Sequence, residues 1–137
     1  MTMLPAPNDS ERGSVSVMVA VLGIAFLMVA GLALDGGRKL GALSEARDIA
    51  DNAARAGAQA VDPSTYRETG TPTLDPAAAT AAANAYLAAV GHTGTIIVEG
   101  ETVTVTVGLT VTTRFLPGPV SVTATESATA TFAVETP

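Results

Sequence analysis

Residues 14–34 read SVSVMVAVLGIAFLMVAGLAL, an apolar run that no Asp, Glu, Lys, Arg or His interrupts. About 20 residues at ~1.5 Å each cross a ~30 Å hydrocarbon core, so the run is long enough to span a bilayer. Neither Pro nor a turn cluster separates it from the segment that follows. A core helix of a soluble protein is the weaker reading, because the remaining chain is too small to wrap it. A cleaved secretory signal is the competing reading, since Gly31-Leu32-Ala33 resembles a small-residue cleavage site. Against it, a signal core is usually about 7–15 residues, and here Asp9 and Glu11 flank the lone Arg12.

Helical character continues past the run. Ala42, Ala46, Ile49, Ala53, Ala56 and Ala60 recur at spacings of four and three, a heptad-like seam. Arg47, Asp51 and Arg55 are spaced for i,i+4 ion pairing on another face. One continuous helix of roughly 70 Å is predicted, with its first half in lipid and its second in water. Gly36 and Gly37 are its weak point. Asp62-Pro63 is expected to end it, and residues 63–74, rich in Thr, Pro and Gly, read as a loop. A second helix follows, with Asp75 as cap, Pro76 in the first turn and Gly91 at the exit. Its apolar side is Ala79, Ala83, Tyr86, Leu87 and Val90.

The remainder is β by pattern. Residues 102–112 alternate Thr with Val103, Val105, Val107, Leu109 and Val111, apart from Gly108. Residues 96–98 are set to pair back across Glu99-Gly100-Glu101 as a tight hairpin. After Leu116-Pro117-Gly118-Pro119 the alternation resumes over residues 120–134 and includes Phe132 and Val134. Glu126 interrupts its apolar phase, which predicts a bulge or a sheet edge. The fold class is therefore α+β. Residues 1–13 read as a disordered lead, 14–34 as the transmembrane helix, and 35–62 as a membrane-proximal Ala-rich helix. Residues 63–75 form a loop, and 76–137 a short helix with a three- or four-stranded antiparallel sheet.

Composition excludes several classes. With no Cys among 137 residues there are no disulfides, thiolate nucleophiles or cysteine metal sites. A net charge of −6 leaves no basic patch for a nucleic acid. His92 is the one His and reads as a surface-loop residue without a catalytic partner. Asp35 and Glu45 read as solvated helix residues, the acids are too scattered to ligate a metal, and Asp35-Gly36-Gly37-Arg38 lacks the spacing of a phosphate cradle. No cofactor, small-molecule substrate or enzymatic activity is expected.

Packing is what the residues favour. Ala33, Gly37 and Gly41 recur every four residues, a pattern that lets helix backbones approach closely. Ala42, Ala46, Ile49 and Ala53 extend that option beyond the membrane, although they could equally dock on the protein's own sheet. Arg12 on one side of the run, and Asp35, Arg38 and Lys39 on the other, are expected at the membrane interface, since charge at the bilayer centre is costly. The basic residues after the run would by themselves place the C-terminal part inside the cell.

Two stretches resemble the TadE/TadG-like proteins of tight-adherence (Tad, Flp-type) pilus assembly. One opens at Arg12-Gly13, passes the apolar run to Asp35-Gly36-Gly37-Arg38, and continues through Asp51-Asn52-Ala53-Ala54-Arg55-Ala56-Gly57-Ala58. The other is the small-residue tail from Val120-Ser121-Val122 to Ala128-Thr129-Ala130. The resemblance implies a pilin-like layout and a single-pass protein of the cytoplasmic membrane, with the lead of residues 1–13 cytoplasmic and the C-terminal domain outside. Its partners would be membrane lipid and the helices of other pilus or secretion subunits or of itself. It also marks Gly13 as a possible processing position. Pilin-like members processed there carry Glu at the fifth position after that Gly, where this chain has Met18, so a TadG-like anchor or divergent minor pilin is implied over a major subunit. The alternative is a small secreted β binding module released after Ala33.

Overall fold

Small side chains on one face of the long helix set how the rest of the chain packs. The computed structural model describes residues 9–115 and 117–130. Its elements run α1 (Asp9–Ala58), α2 (Pro63–Thr69), α3 (Pro76–Ala89), β1 (Gly94–Glu99), β2 (Thr102–Thr112) and β3 (Pro119–Thr129). The three strands form one antiparallel sheet in the order β1-β2-β3.

α1 runs unbroken through Gly36 and Gly37. At ~1.5 Å per residue its 50 residues extend about 75 Å. Almost none of its apolar stretch is covered by the rest of the protein; Phe26 and Leu27, for example, are 67% and 71% exposed. A core helix would be mostly buried, so that reading is set aside. The helix starts at Asp9, so residues 9–13 of the expected lead are helical and residues 1–8 lie outside the described part.

Beyond the apolar stretch, Ala46, Ile49, Ala50, Ala53, Ala54 and Gly57 are buried. They form a wider stripe than the heptad seam. Ala50, Ala54 and Gly57 join it, while Ala42 and Ala56 sit at its half-buried edges. A straight helix drifts ~20° per heptad against a strict seven-residue repeat, which moves the buried face across the seam. The stripe meets Ala79, Ala83 and Leu87 of α3 and Val103, Val105 and Val107 of β2 in one apolar core. At Gly57 the approach is closest: a Cβ there would lie 3.0 Å from the Ala79 carbonyl oxygen and 3.1 Å from Val103 Cγ1.

The chain between α1 and α3 departs from the expected loop. α1 ends at Ala58, before Asp62, and Val61 forms a β-bridge with Leu74. Asp62-Pro63 starts a helix where it was expected only to end one. Asp62 caps α2 by accepting the Ser64 amide at 2.8 Å, and Pro63 occupies the first turn, where a missing N–H costs nothing. α3 follows the expected punctuation. Asp75 accepts the amides of Ala77 and Ala78, at 2.9 and 3.1 Å. At its end His92 N–H bonds to Leu87 O and Gly91 N–H to Ala88 O, with Gly91 at φ 76°, a Schellman closure.

Gly100 and Glu101 make the β1–β2 turn, Glu99 pairing with Thr102. β2 and β3 pair without a break from Thr102–Thr129 to Thr112–Pro119. Glu126 therefore sits in regular pairing with Val105 and no bulge forms; its strand is the sheet edge, the other outcome foreseen. Phe132 and Val134 lie outside the described residues. One face of β2 and β3 covers α1, and the other carries paired hydroxyls: Thr102 with Thr129, Thr104 with Ser127 and Thr106 with Thr125, at 3.2, 2.9 and 2.9 Å.

The Asp62 carboxylate accepts hydrogen bonds from the Ser64 hydroxyl, the Thr65 hydroxyl and the Ser64 amide, which lower its pKa from 3.8 to about 2. A depressed folded-state value means the cap contributes fully above pH 3.8 and is lost as pH falls through about 2. An NMR titration should give an Asp62 midpoint near 2, with the Ser64 amide shift following it. A midpoint at the ordinary carboxylate value would contradict this cap.

Candidate functional site

The site lies where α1 leaves the apolar run, and a carboxylate organises it. Asp35 is 3% exposed, the buried charged residue among the described side chains. It was expected to be solvated at the interface, and the structure corrects this. Its Oδ1 accepts the Arg114 amide at 3.1 Å and its Oδ2 the Phe115 amide at 2.8 Å. The Arg38 guanidinium lies 3.8 Å from Oδ1, one helical turn on. One side chain of α1 thus binds the loop joining β2 to β3 through two backbone donors, in the way an acidic cap holds a helix start.

Gly31, one turn earlier, completes the joint. A Cβ at Gly31 would stand 2.7 Å from Cγ and Cδ1 of Phe115, so the ring rests directly on the helix backbone. The lengths match on both sides. Roughly 33 Å of helix axis separates Asp35 from Gly57 at ~1.5 Å per residue, and roughly 36 Å of strand separates Val103 from Arg114 at ~3.3 Å per residue. The β2–β3 hairpin therefore lies along α1, its open end at Gly57 and its closed end at Asp35.

The residues expected to pack helices fall on two faces. Ala46, Ile49 and Ala53 are buried against the protein's own core, and Ala42 is half-buried on the same side. Ala33, Gly37 and Gly41 are exposed, and among the described residues nothing beyond the adjoining turns of α1 lies within 4 Å of a Cβ built on Gly37 or Gly41. They are two residues out of step with Gly31 and Asp35, about 200° around a helix of 3.6 residues per turn. The open small-residue face is thus turned away from the hairpin. It leads to an open groove of about 600 Å³ between α1 and α3, whose walls include Glu45, Asp48, Tyr86 and His92. His92 is half-buried there. Lys39 is exposed on the turn after Asp35, Gly13 is exposed near the helix start, and the side chain of Arg12 lies outside the described part. Among the described residues, no three His, Cys, Asp or Glu side chains gather to hold a metal ion.

Sequence reasoning missed the Asp35 joint because its two donors are backbone amides some 80 residues away, which leave no side-chain signature. One signal was present: an exposed aromatic, Phe115, in a turn built from Pro117, Gly118 and Pro119, where polar residues are usual.

Replacing Asp35 with Ala should leave two amides without their acceptor and destabilise the β2–β3 loop on the order of 2 kcal/mol. Hydrogen exchange at Arg114 and Phe115 should quicken by more than tenfold, while the Val103–Val107 amides stay protected. Unchanged protection of both loop amides would show that Asp35 does not hold the loop. Gly31→Leu should loosen the same amides by displacing the Phe115 ring, with Asp35 intact.

Comparison with known proteins bears on this segment. Residues 13–60 match the Tad family model of Flp pilus-assembly TadE/G-like proteins. No curated protein and no solved structure matches the chain. The match takes in the uncovered apolar helix, the α1 side of the Asp35 joint, both small-residue faces and the end of α1, whereas α3, the sheet and the β2–β3 loop lie beyond it. A pilus-assembly family and one helix long and apolar enough to cross a membrane together support a membrane-anchored protein of pilus assembly. Over residues 13–60 the long helix of this chain is similar to the TadE/G-like module of Flp pilus assembly.

Proposed function

We propose that this chain is a non-enzymatic, membrane-anchored component of a Tad/Flp-type pilus assembly or secretion apparatus, a TadG-like anchor or divergent minor pilin. The observation that carries this reading is the division of α1 into two small-residue faces. One is filled by the protein's own core; the other, Ala33-Gly37-Gly41, is open at the end of the apolar run. In lipid, helix association depends on close backbone approach, and an open small-residue face at that level suits a partner helix. The partner would be another pilus or secretion subunit, or a second copy. Met18, in place of the Glu of processed pilin-like members, favours an anchor or minor subunit over a major one.

In this reading the N-terminus lies inside and the sheet outside; the family resemblance supports that orientation, and the basic residues after the apolar run do not. Retention of the apolar helix is favoured over release after Ala33, because the loop contact uses Gly31 and Asp35, one on each side of that bond.

Gly37→Leu with Gly41→Leu tests the packing role. Among the described residues, nothing outside the adjoining turns of α1 lies within 4 Å of a Cβ at either position, so the variant should fold as before, with unchanged exchange protection in β2. Crosslinked adducts formed through Ala33→Cys in native membranes should fall severalfold. Undiminished adducts would count against the open face as a helix contact. For topology, the chain has no Cys, so Ile97→Cys gives a single thiol on the exposed part of the sheet. A membrane-impermeant maleimide should label it in spheroplasts without lysis; labelling only after lysis would reverse the orientation.

A further inference from the structure

Phe115 is 61% exposed, although it is one of three Phe in the chain and lies on a loop otherwise held in place. Its ring sits on Gly31, which is one helical turn, about 6 Å, inside the apolar run measured from Asp35. If α1 spans a bilayer, that level belongs to the membrane interface or just beneath it, and the ring must lie at the same depth. Around it Leu32 and Leu34 are 61% and 60% exposed, so ring and helix form one continuous apolar surface.

The loop's backbone suits that depth. Irregular backbone is excluded from lipid because unpaired N–H groups cost several kcal/mol each. Here the amides of Arg114 and Phe115 are both taken by the buried Asp35 carboxylate. Pro117 and Pro119 have no N–H. The Thr113 hydroxyl donates to the Gly118 carbonyl at 2.6 Å, closing the loop on itself. Arg38, beside Asp35, and Lys39 follow the joint along α1, and Arg114 is exposed in the loop next to Phe115; long basic side chains at such a level reach headgroups while an aromatic ring sits below them.

We propose that the β2–β3 loop is a second membrane contact, in which Phe115 enters the bilayer interface beside Gly31 while Asp35 takes up the amides of Arg114 and Phe115, which would otherwise be stranded there. The occupant is lipid: the surface is continuous with the apolar helix and lies at its depth. Two contacts, helix and loop, then fix the sheet's tilt against the membrane and leave the Ala33-Gly37-Gly41 face turned to one side. This inference rests on the reading of α1 as a membrane span.

The chain has no Trp, so single Trp substitutions report depth cleanly. The full chain is reconstituted in phosphatidylcholine vesicles containing lipid spin-labelled at either a shallow or a deep acyl position. Phe115→Trp should emit to the blue of Ile97→Trp, and the shallow label should quench it severalfold more than the deep one. Phe26→Trp, within the span, should be quenched most by the deep label, and Ile97→Trp by neither. Adding Asp35→Ala to Phe115→Trp should reduce the shallow quenching toward the Ile97→Trp level, with the far-ultraviolet dichroism of the sheet unchanged. If Phe26→Trp is quenched and Phe115→Trp is not, the loop contact is wrong and the anchor stands. If Phe26→Trp also escapes quenching, the membrane span fails, and the loop contact with it.

Discussion

The close approach of α1 to the β2–β3 hairpin is the contact on which the extramembrane fold depends. Alanines and a glycine face the valines of β2, and the backbones come near enough that a Cβ at Gly57 would press on Val103 and the Ala79 carbonyl. With aromatics at 4% of the chain, no large side chain is available to fill a wider gap. Tight packing of many small groups supplies the apolar contact that a few large ones would otherwise provide. Leu87 of α3, with Ile49 and Leu74, is among the few larger side chains in that core.

That approach has a direction. Because a strand advances about twice as far per residue as a helix, the hairpin runs back along α1 and reaches the level where the apolar run ends. There Asp35 meets two amides and Gly31 meets a ring. The same helix is bare over its apolar length and covered by protein over the next, and Asp35 marks the change. A carboxylate at such a border is costly unless its oxygens are occupied, and the loop amides occupy them. The Asp-Gly-Gly-Arg stretch thus has a structural reason: the acid binds the loop, the glycines lie on or beside the open face, and Arg38 offsets the charge.

The division of α1 into two faces is what carries the proposed role in assembly. The filled face fixes the sheet to the helix, and the open face is where we propose that a partner packs. Because both faces belong to one unbroken helix, a partner held there would set the orientation of the sheet.

Much of this was legible in the sequence, because it depends on local rules. The apolar length of residues 14–34, the Asp75–Pro76 start and Gly91 exit of α3, and the Thr/Val alternation of β2 each arise from neighbours in the chain. The order of family residues from Gly13 to Gly57 was equally plain. Tertiary structure decided the rest. It turned Asp62-Pro63 from a stop into a start, since the Val61–Leu74 bridge brings the chain round for Asp62 to cap a new helix. It resolved Glu126 as an edge residue in regular pairing. It split one list of small residues into a buried face and an open one, because helical phase matters only once a sheet occupies one side. And it buried Asp35, whose partners are backbone amides; every residue but Pro carries that donor, so only the folded chain selects which two it binds.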